Sequence, residues 1–403
     1  MRTATLLGSL ALLALVATPA GAQGANRYRL TIGTVDSLKS TVLNGETRKY
    51  IVYTPPSYDD TLFTPQRYPV LYLLDGDAHF HSVTGLIQIL GTGVNGTYAV
   101  PEMMVVAIPN TNRLRDMSPT KVTKGLDGKP APGMASSGGM ANFLGFIKNE
   151  LIPEIDAKYR TMPYRVFVGH SLGGITTINA LYTIPETFNA YVAIDPSLWW
   201  DDKVLLKQAK EHFEKPGVYQ NKVLFLGQAN TLSPDDTTTN QHFNAMLQFN
   251  EVLGTYNKSG IRYGYKYYGG DDHGSVPLIT EYEALRFIFD GYKLNLMRVL
   301  ATPASLPEHY KAVSARLGAE FKPSEAMLGQ LATFAMGQDT TKAIQLLEMA
   351  TQYYPQSYRS YDRLGTLYAA KGDKPKAISQ YERSLAINPS NSITQTKLKE
   401  LQK

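Results

Sequence analysis

Cysteine is absent from the 403-residue chain. That excludes disulfides, thiolate metal sites, iron–sulfur clusters, a lipid-bearing cysteine and a cysteine nucleophile. Charge is scarce too: Asp, Glu, Lys and Arg make up 19% of the residues, and their near balance leaves a formal +5. So mild an excess is no footprint for nucleic acid. The chain has 2 tryptophans, and past its first two dozen residues no apolar run reaches the roughly 20 residues that a spanning helix needs. Catalysis, if present, must use Ser, His, carboxylates, Lys or Tyr, or a metal held by oxygen and imidazole. With 43% hydrophobic residues the chain is globular, and its length predicts two or three domains.

Arg2 precedes an apolar run, Leu6 to Ala17, and Ala20-Gly21-Ala22 follows as a small-x-small site before Gln23. This is the three-part layout of a secretory signal peptide. Residues 1–22 are therefore expected to be removed on export, leaving no membrane anchor. A cysteine-free exported chain suits a periplasmic or secreted location.

Short β-branched or aromatic runs alternate with amphipathic stretches up to about residue 292. The strand candidates are Lys49–Thr54, Pro69–Leu74, Met103–Ile108, Arg165–Gly169, Ala190–Ile194, Lys222–Leu226 and Arg262–Tyr268. Nearly continuous apolar strands between helices predict an α/β sandwich with a mostly parallel sheet. Leu144, Ile147, Leu151 and Ile155 fall at helical spacing, with Pro153 expected to kink that helix. The Gly-, Pro- and Ser-rich segment Lys121–Met140 reads as a long loop that covers a site. After Pro303 strand signals stop and a 34-residue period begins: Ala343 and Ala377, Pro355 and Pro389, Phe334 and Tyr368 each differ by that number. Tyr361, Leu364-Gly365, Tyr368, Ala377, Tyr381 and Pro389 resemble a tetratricopeptide helix–turn–helix, and residues 392–403 a polar capping helix. The expected division is 23–302 for the α/β domain and 303–403 for the repeats, whose surface is a possible site for a protein partner.

Gly169-His170-Ser171-Leu172-Gly173 follows a predicted strand and opens a predicted helix. That is the setting of a nucleophile elbow, in which a sharp turn lifts the serine hydroxyl out of the backbone. A serine needs a base. His273, in Gly269-Gly270-Asp271-Asp272-His273-Gly274-Ser275 after the last strand, is the candidate. His170 should point away from the serine, and His212, His242 and His309 read as helix histidines of the core or surface. The chain order Ser, acid, His directs attention to the loop after Lys222–Leu226, where Asp235 and Asp236 stand, Asp236 being preferred. Either could instead cap the next helix. The oxyanion donors should be the N–H groups of Leu172 and, in Asp75-Gly76-Asp77, of Asp77 rather than Gly76. His79 and His81 sit too loosely for a metal site and read as a pocket rim. No metal ligand set is assigned. Trp199 and Trp200 could form a pocket wall or a core plug. Arg113 and Arg115 could steer an anionic ligand or pair with Asp116.

Tyr72-Leu73-Leu74-Asp75-Gly76-Asp77, Asn112-Arg113-Leu114-Arg115-Asp116, the elbow, Asp195-Pro196-Ser197-Leu198-Trp199-Trp200 and Asp272-His273-Gly274 occur in this order. Together they resemble the putative-esterase family, which includes ferric-enterobactin and salmochelin esterases, feruloyl and acetylxylan esterases and mycolyltransferases. The resemblance covers about residues 28–292. It implies an α/β-hydrolase fold, ester hydrolysis without a cofactor, and catalytic roles for Ser171 and His273. Members vary in their acid and some work with a Ser–His pair. Siderophore-type esters come first as substrates, then plant-wall acetyl or feruloyl esters. Acyl transfer, or an inert scaffold binding a partner through its repeats, are the rival readings.

Overall fold

In the computed structural model eight strands form one sheet: β1 (Thr34–Lys39), β2 (Thr47–Tyr53), β3 (Tyr68–Leu73), β4 (Met104–Ala107), β5 (Thr161–His170), β6 (Ala190–Ile194), β7 (Val223–Ala229) and β8 (Arg262–Tyr268). The structure describes residues 30–92, 98–124, 129–235 and 237–403. The leader expected over residues 1–22 lies outside them. Spatial order is β1-β2-β4-β3-β5-β6-β7-β8. From β4 to β8 all neighbours are parallel. β2 pairs antiparallel with β4, and β1 with β2. Every residue of β3, β4, β6 and β7 is buried, as strands that are apolar on both faces require. β1 was not foreseen. As a partly exposed edge strand, with Val35 62% exposed, it carries no apolar run to announce it.

The hydrolase-like part has the helices α1 (Gly76–Gly91), α2 (Arg113–Asp116), α3 (Met140–Phe146), α4 (Ile152–Lys158), α5 (Leu172–Thr183), α6 (Trp200–Glu214), α7 (Thr237–Tyr256) and α8 (Val276–Ile288). Successive strand residues alternate between two cores. Leu71 and Leu73 pack with Phe80 and Ile87 of α1 and Leu285 of α8. Val70 and Tyr72 pack with Phe143, Ile155, Ile178, Leu205 and Phe249 from α3 to α7. The proline kink expected in the Leu144–Ile155 helix is absorbed differently. A π-turn over Ile147–Leu151 joins α3 to α4, and Pro153 sits in the first turn of α4, where its missing N–H costs least.

The tail continues as α9 (Leu296–Ala301), α10 (Ser305–Leu317), α11 (Glu325–Met336), α12 (Thr340–Tyr353), α13 (Tyr358–Ala370), α14 (Lys374–Ile387) and α15 (Ser392–Gln402). α13 and α14 form the clearer repeat. A Cβ on Gly365 would lie 2.6 Å from the Tyr381 ring, so only glycine admits that helix contact. Ile32–Lys403 form one unit, because the sheet core passes without interruption into the repeats. Tyr164 on β5 has its ring 5.6 Å from Phe289 and 5.5 Å from Phe321, and Tyr292 lies 6.0 Å from Phe321. Buried Glu325 accepts from Thr64 N at 2.7 Å, and Arg316 pairs with Asp290 at 2.6 Å. A cavity of about 540 Å³ lies at this seam, lined by Tyr68, Glu102, Phe321 and Tyr354 among others.

A chain ending at Thr302 should therefore melt at lower temperature and bind a hydrophobic dye, since Tyr164 and Phe289 lose the Phe321 ring. Phe321→Ala in the full chain should cost about 3–5 kcal/mol and shift a single urea transition. Two transitions, with only the tail's displaced, would show repeats that fold separately.

Candidate active site

Ser171 stands between β5 and α5 with φ 61° and ψ −115°. This is a strained backbone for a residue with a Cβ, of the kind that persists at functional sites when its surroundings enforce it. Enforcement comes from both sides. Ser171 N donates to Ile194 O at 2.9 Å, and its carbonyl accepts from Ser197 N at 3.1 Å. A Cβ on Gly169 would lie 2.2 Å from Gly173 O, so the helix can turn back on the strand only over a glycine. The Ser171 hydroxyl is 3.1 Å from Ser197 Oγ, a buried neighbour with no role assigned from sequence.

His273 lies where the sequence placed it, in the loop between β8 and α8. Asp272 folds that loop by accepting from Gly274 N at 2.9 Å and Ser275 N at 2.8 Å. Asn230 N donates to Asp271 O at 2.8 Å and ties the loop to the end of β7. The carboxylate that meets His273 is Asp195, directly after β6: Oδ2 is 2.5 Å from His273 Nδ1. Asp195 is fully buried, while His273 is 43% exposed. The preferred acid, Asp236, lies outside the described residues, and Asp235 is exposed. Among the described residues the carboxylate facing His273 thus comes from the end of β6, one strand before the loop that was expected to supply it, and from a motif already quoted for its likeness to a family. A sequence signal pointed to it without singling it out: an Asp ending an entirely apolar strand satisfies the order Ser, acid, His, and only the order of strands in the sheet sets it beside His273.

Burial works to raise the Asp195 pKa, but hydrogen bonds from His242 and His273, with the Ala229 N–H at 2.8 Å, outweigh it and hold the carboxyl far below its usual range. His170 is not turned away from the site. Its ring centroid is 4.5 Å from that of His273 and 5.7 Å from that of His79. Burial, with the neighbouring His273 and His79, pushes its pKa down to about 4, so at neutral pH it packs beside the base as an uncharged ring.

Leu172 opens α5, and Asp77 is the second residue of α1. First-turn N–H groups have no acceptor within their own helix and favour developing negative charge. Gly76 N is spent on Ile108 O at 3.0 Å, which leaves Asp77 the better donor of the two considered. The helix starts adjoin: a Cβ on Gly173 would lie 3.2 Å from Asp75 Oδ2. Arg113 fastens them. Its Nε and Nη2 reach the Asp75 carboxylate at 2.6 and 2.9 Å, and Nη2 also reaches His170 O at 3.1 Å. The steering role considered for Arg113 gives way to that of a clamp. Arg115 pairs with Asp116 at 2.7 Å and Glu46 at 2.8 Å.

The tryptophans separate. Trp200 is 3% exposed, sits in the core and donates to Thr120 Oγ1 at 3.1 Å, so it plugs rather than lines. Trp199 is only partly buried. His79 and His81 belong to α1 rather than to a rim loop, with His79 inward and His81 exposed. Among the described residues, three groups able to hold a metal come together at Asp195, His242 and His273, within 4.8 Å. Their contacts are hydrogen bonds to one carboxylate, and a metal there would take His273 Nδ1 from its acid.

The arrangement suits acyl transfer through serine. With His273 as base for the Ser171 proton, Asp195 would fix its Nδ1–H tautomer and stabilise the imidazolium, and the Leu172 and Asp77 N–H groups would be the oxyanion donors. The acyl-enzyme would then yield to water activated by the same imidazole.

The sequence model of the putative-esterase family matches residues 40–253, and that of the tetratricopeptide repeat residues 358–391. The chain is 30% identical over 269 residues to the ferri-bacillibactin esterase BesA of Bacillus subtilis, covering 62% of this chain and 89% of that protein. It is 30% identical over 152 residues to the siderophore triacetylfusarinine C esterase of Aspergillus fumigatus, covering 36% of this chain and 50% of that protein. A solved IroE-like serine hydrolase from Shewanella oneidensis superposes with a TM-score of 0.70 at 33% identity, over 80% of this chain and 99% of the other.

Asp195→Asn should lower kcat by about 10⁴ through the wrong imidazole tautomer, with Asp235→Asn near the wild-type rate; steady-state kinetics on p-nitrophenyl acetate read both. A second expectation concerns Glu281 on α8, which burial raises from 4.5 to about 8. Between those values the native carboxyl stays protonated while the unfolded one ionises, so native stability falls as pH rises from about 5 to 8. Glu281→Gln should flatten that part of the dependence in urea unfolding at pH 5 and 8; an unchanged slope would assign it to other groups.

Proposed function

This chain belongs to the putative-esterase family and is a serine-type carboxylic ester hydrolase; from that premise we propose that it cleaves siderophore-type esters, the iron-chelating multi-esters, outside the cytoplasm. The observation that carries the substrate reading is the 30% identity to a ferri-bacillibactin esterase across 89% of that protein. The site's openness supports it. His273 is 43% exposed on the carboxyl edge of the sheet, where bulky ligands of open α/β folds bind, and the partly exposed Trp199 offers an aromatic surface to catechol-like rings. Export rests on the Arg2, Leu6–Ala17 and Ala20-Gly21-Ala22 layout.

The test is a panel of cyclic and linear catecholate and hydroxamate multi-esters, metal-free and ferric, beside feruloyl and acetylated sugars, with products followed by mass spectrometry. A multi-ester should give the highest kcat/KM, and Ser171→Ala should lose about 10⁶ of the rate. Preference for the sugar esters would overturn the substrate reading and leave the hydrolase intact. Growth of an acylated acceptor in place of free acid would turn it into a transferase. Fractionation of cells expressing a tagged chain should find protein beginning at Gln23 outside the cytoplasm; an unprocessed cytoplasmic chain would overturn export.

A further inference from the structure

Two imidazoles share the acid. His242, on α7, has its Nε2 2.9 Å from Asp195 Oδ2, the same oxygen that meets His273 Nδ1 at 2.5 Å. The other oxygen, Oδ1, accepts from Ala229 N. An orienting carboxylate needs one imidazole partner, so the second calls for a reason. The sequence reading had left His242 as an ordinary helix histidine.

Its placement is over-determined. α7 is pinned beside the site by Gln228, a fully buried side chain on β7. Gln228 Nε2 donates to Phe243 O at 3.2 Å, and its Oε1 accepts from Tyr265 OH at 2.7 Å. The His242 ring stands edge-on to His273, centroids 5.3 Å apart at 85°. With His170 4.5 Å from the same ring, the base has an imidazole neighbour from α7 and another from the end of β5. His242 is 12% exposed, and among the described residues its Nδ1 is buried without a partner. A buried orphan N–H costs more than a buried orphan lone pair on this nitrogen, so the contacts fit the tautomer that carries its proton on Nε2 and donates it to Asp195.

We propose that His242 is a positioning residue: it drains charge from Asp195 Oδ2 and holds that oxygen at His273 Nδ1, so that the base works against a carboxylate it shares. The inference rests on Ser171 and His273 being nucleophile and base, and is independent of which ester is cleaved. The physical step is short. A carboxylate oxygen that accepts two donors is less basic than one that accepts a single donor, and it therefore stabilises the imidazolium of His273 less. Removing His242 concentrates the charge on the contact with His273 and strengthens that contact to the imidazolium form. The other titratable groups around His273 are unaltered by the substitution. Among the described residues they are His170 at the end of β5, with His79 of α1 and Asp75 behind it, and two carboxylates of the base's own loop: Asp271, which accepts from Ser275 Oγ, and Asp272, which is held by Gly274 N and Ser275 N.

The test is kcat/KM for p-nitrophenyl acetate against pH in His242→Phe, His242→Asn and His242→Gln. Phe has no donor, the Asn amide is too short to reach Asp195, and the Gln amide extends about as far as imidazole Nε2. Phe and Asn should move the acidic limb up by about half a unit to one unit and lower kcat roughly ten-fold, whereas Gln should return both toward wild type. If the Phe variant does not fold, the comparison of Asn with Gln carries the result. An unmoved limb in the donor-less variants, or equal shifts in all three, would overturn the proposal. Fluorophosphonate labelling of Ser171 separates the underlying reading. Failure of the wild type to label, or turnover retained in Ser171→Ala, would remove the nucleophile assignment. Normal labelling with a wild-type pH profile in His242→Asn would sink the His242 proposal alone.

Discussion

A fully buried carboxylate on which four elements converge organises the site. Asp195 follows β6, accepts from the Ala229 N–H of β7, from His242 on α7 and from His273 in the loop after β8. Its own N–H donates to Gly227 O at 2.7 Å. Burying an ionised carboxyl is costly unless its oxygens are met by donors, so the ends of β6 and β7, α7 and the histidine loop must come together for the fold to accept Asp195. That constraint brings His273 from β8, three places along the sheet, back to His170 at the end of β5, their ring centroids 4.5 Å apart.

The elbow imposes a second constraint of steric origin. Gly169 and Gly173 approach so closely that no side chain fits between them, and the strain at Ser171 is held by backbone hydrogen bonds to Ile194 and Ser197 on either side of Asp195. Ser171 and Asp195 therefore share one piece of backbone. Arg113 extends this unit by fastening the Asp75 turn to the His170 carbonyl, so the N-termini of α1 and α5, where the candidate oxyanion donors stand, are fixed relative to the serine. The repeats add a layer behind the sheet, where aromatic rings from β5, the end of α8 and the tail share one core. Their contribution on this reading is to keep that face dry.

What was legible in the sequence followed from short-range rules. Buried strands declared themselves as continuous apolar runs, the elbow by two glycines around a serine, and the second repeat by a 34-residue period with Gly365 where Tyr381 crosses. The edge strand β1 did not, because a half-exposed strand needs no apolar run. Pro153 predicted a kink and met a π-turn, since a helix can absorb one extra residue where a proline removes a donor.

Residue types and their spacing were enough to determine an α/β sheet, a serine on a strained turn, a histidine in the last loop and a helical repeat tail, because each depends on neighbours a few residues apart. The tertiary structure decided which acid faces the base, that His242 shares it, that Arg113 clamps rather than steers, and that Trp200 is core while Trp199 is not. Those outcomes depend on distances between residues 30 to 80 positions apart. They are set by the order of strands in the sheet and by the requirement that a buried charge find its donors, and no local pattern encodes either.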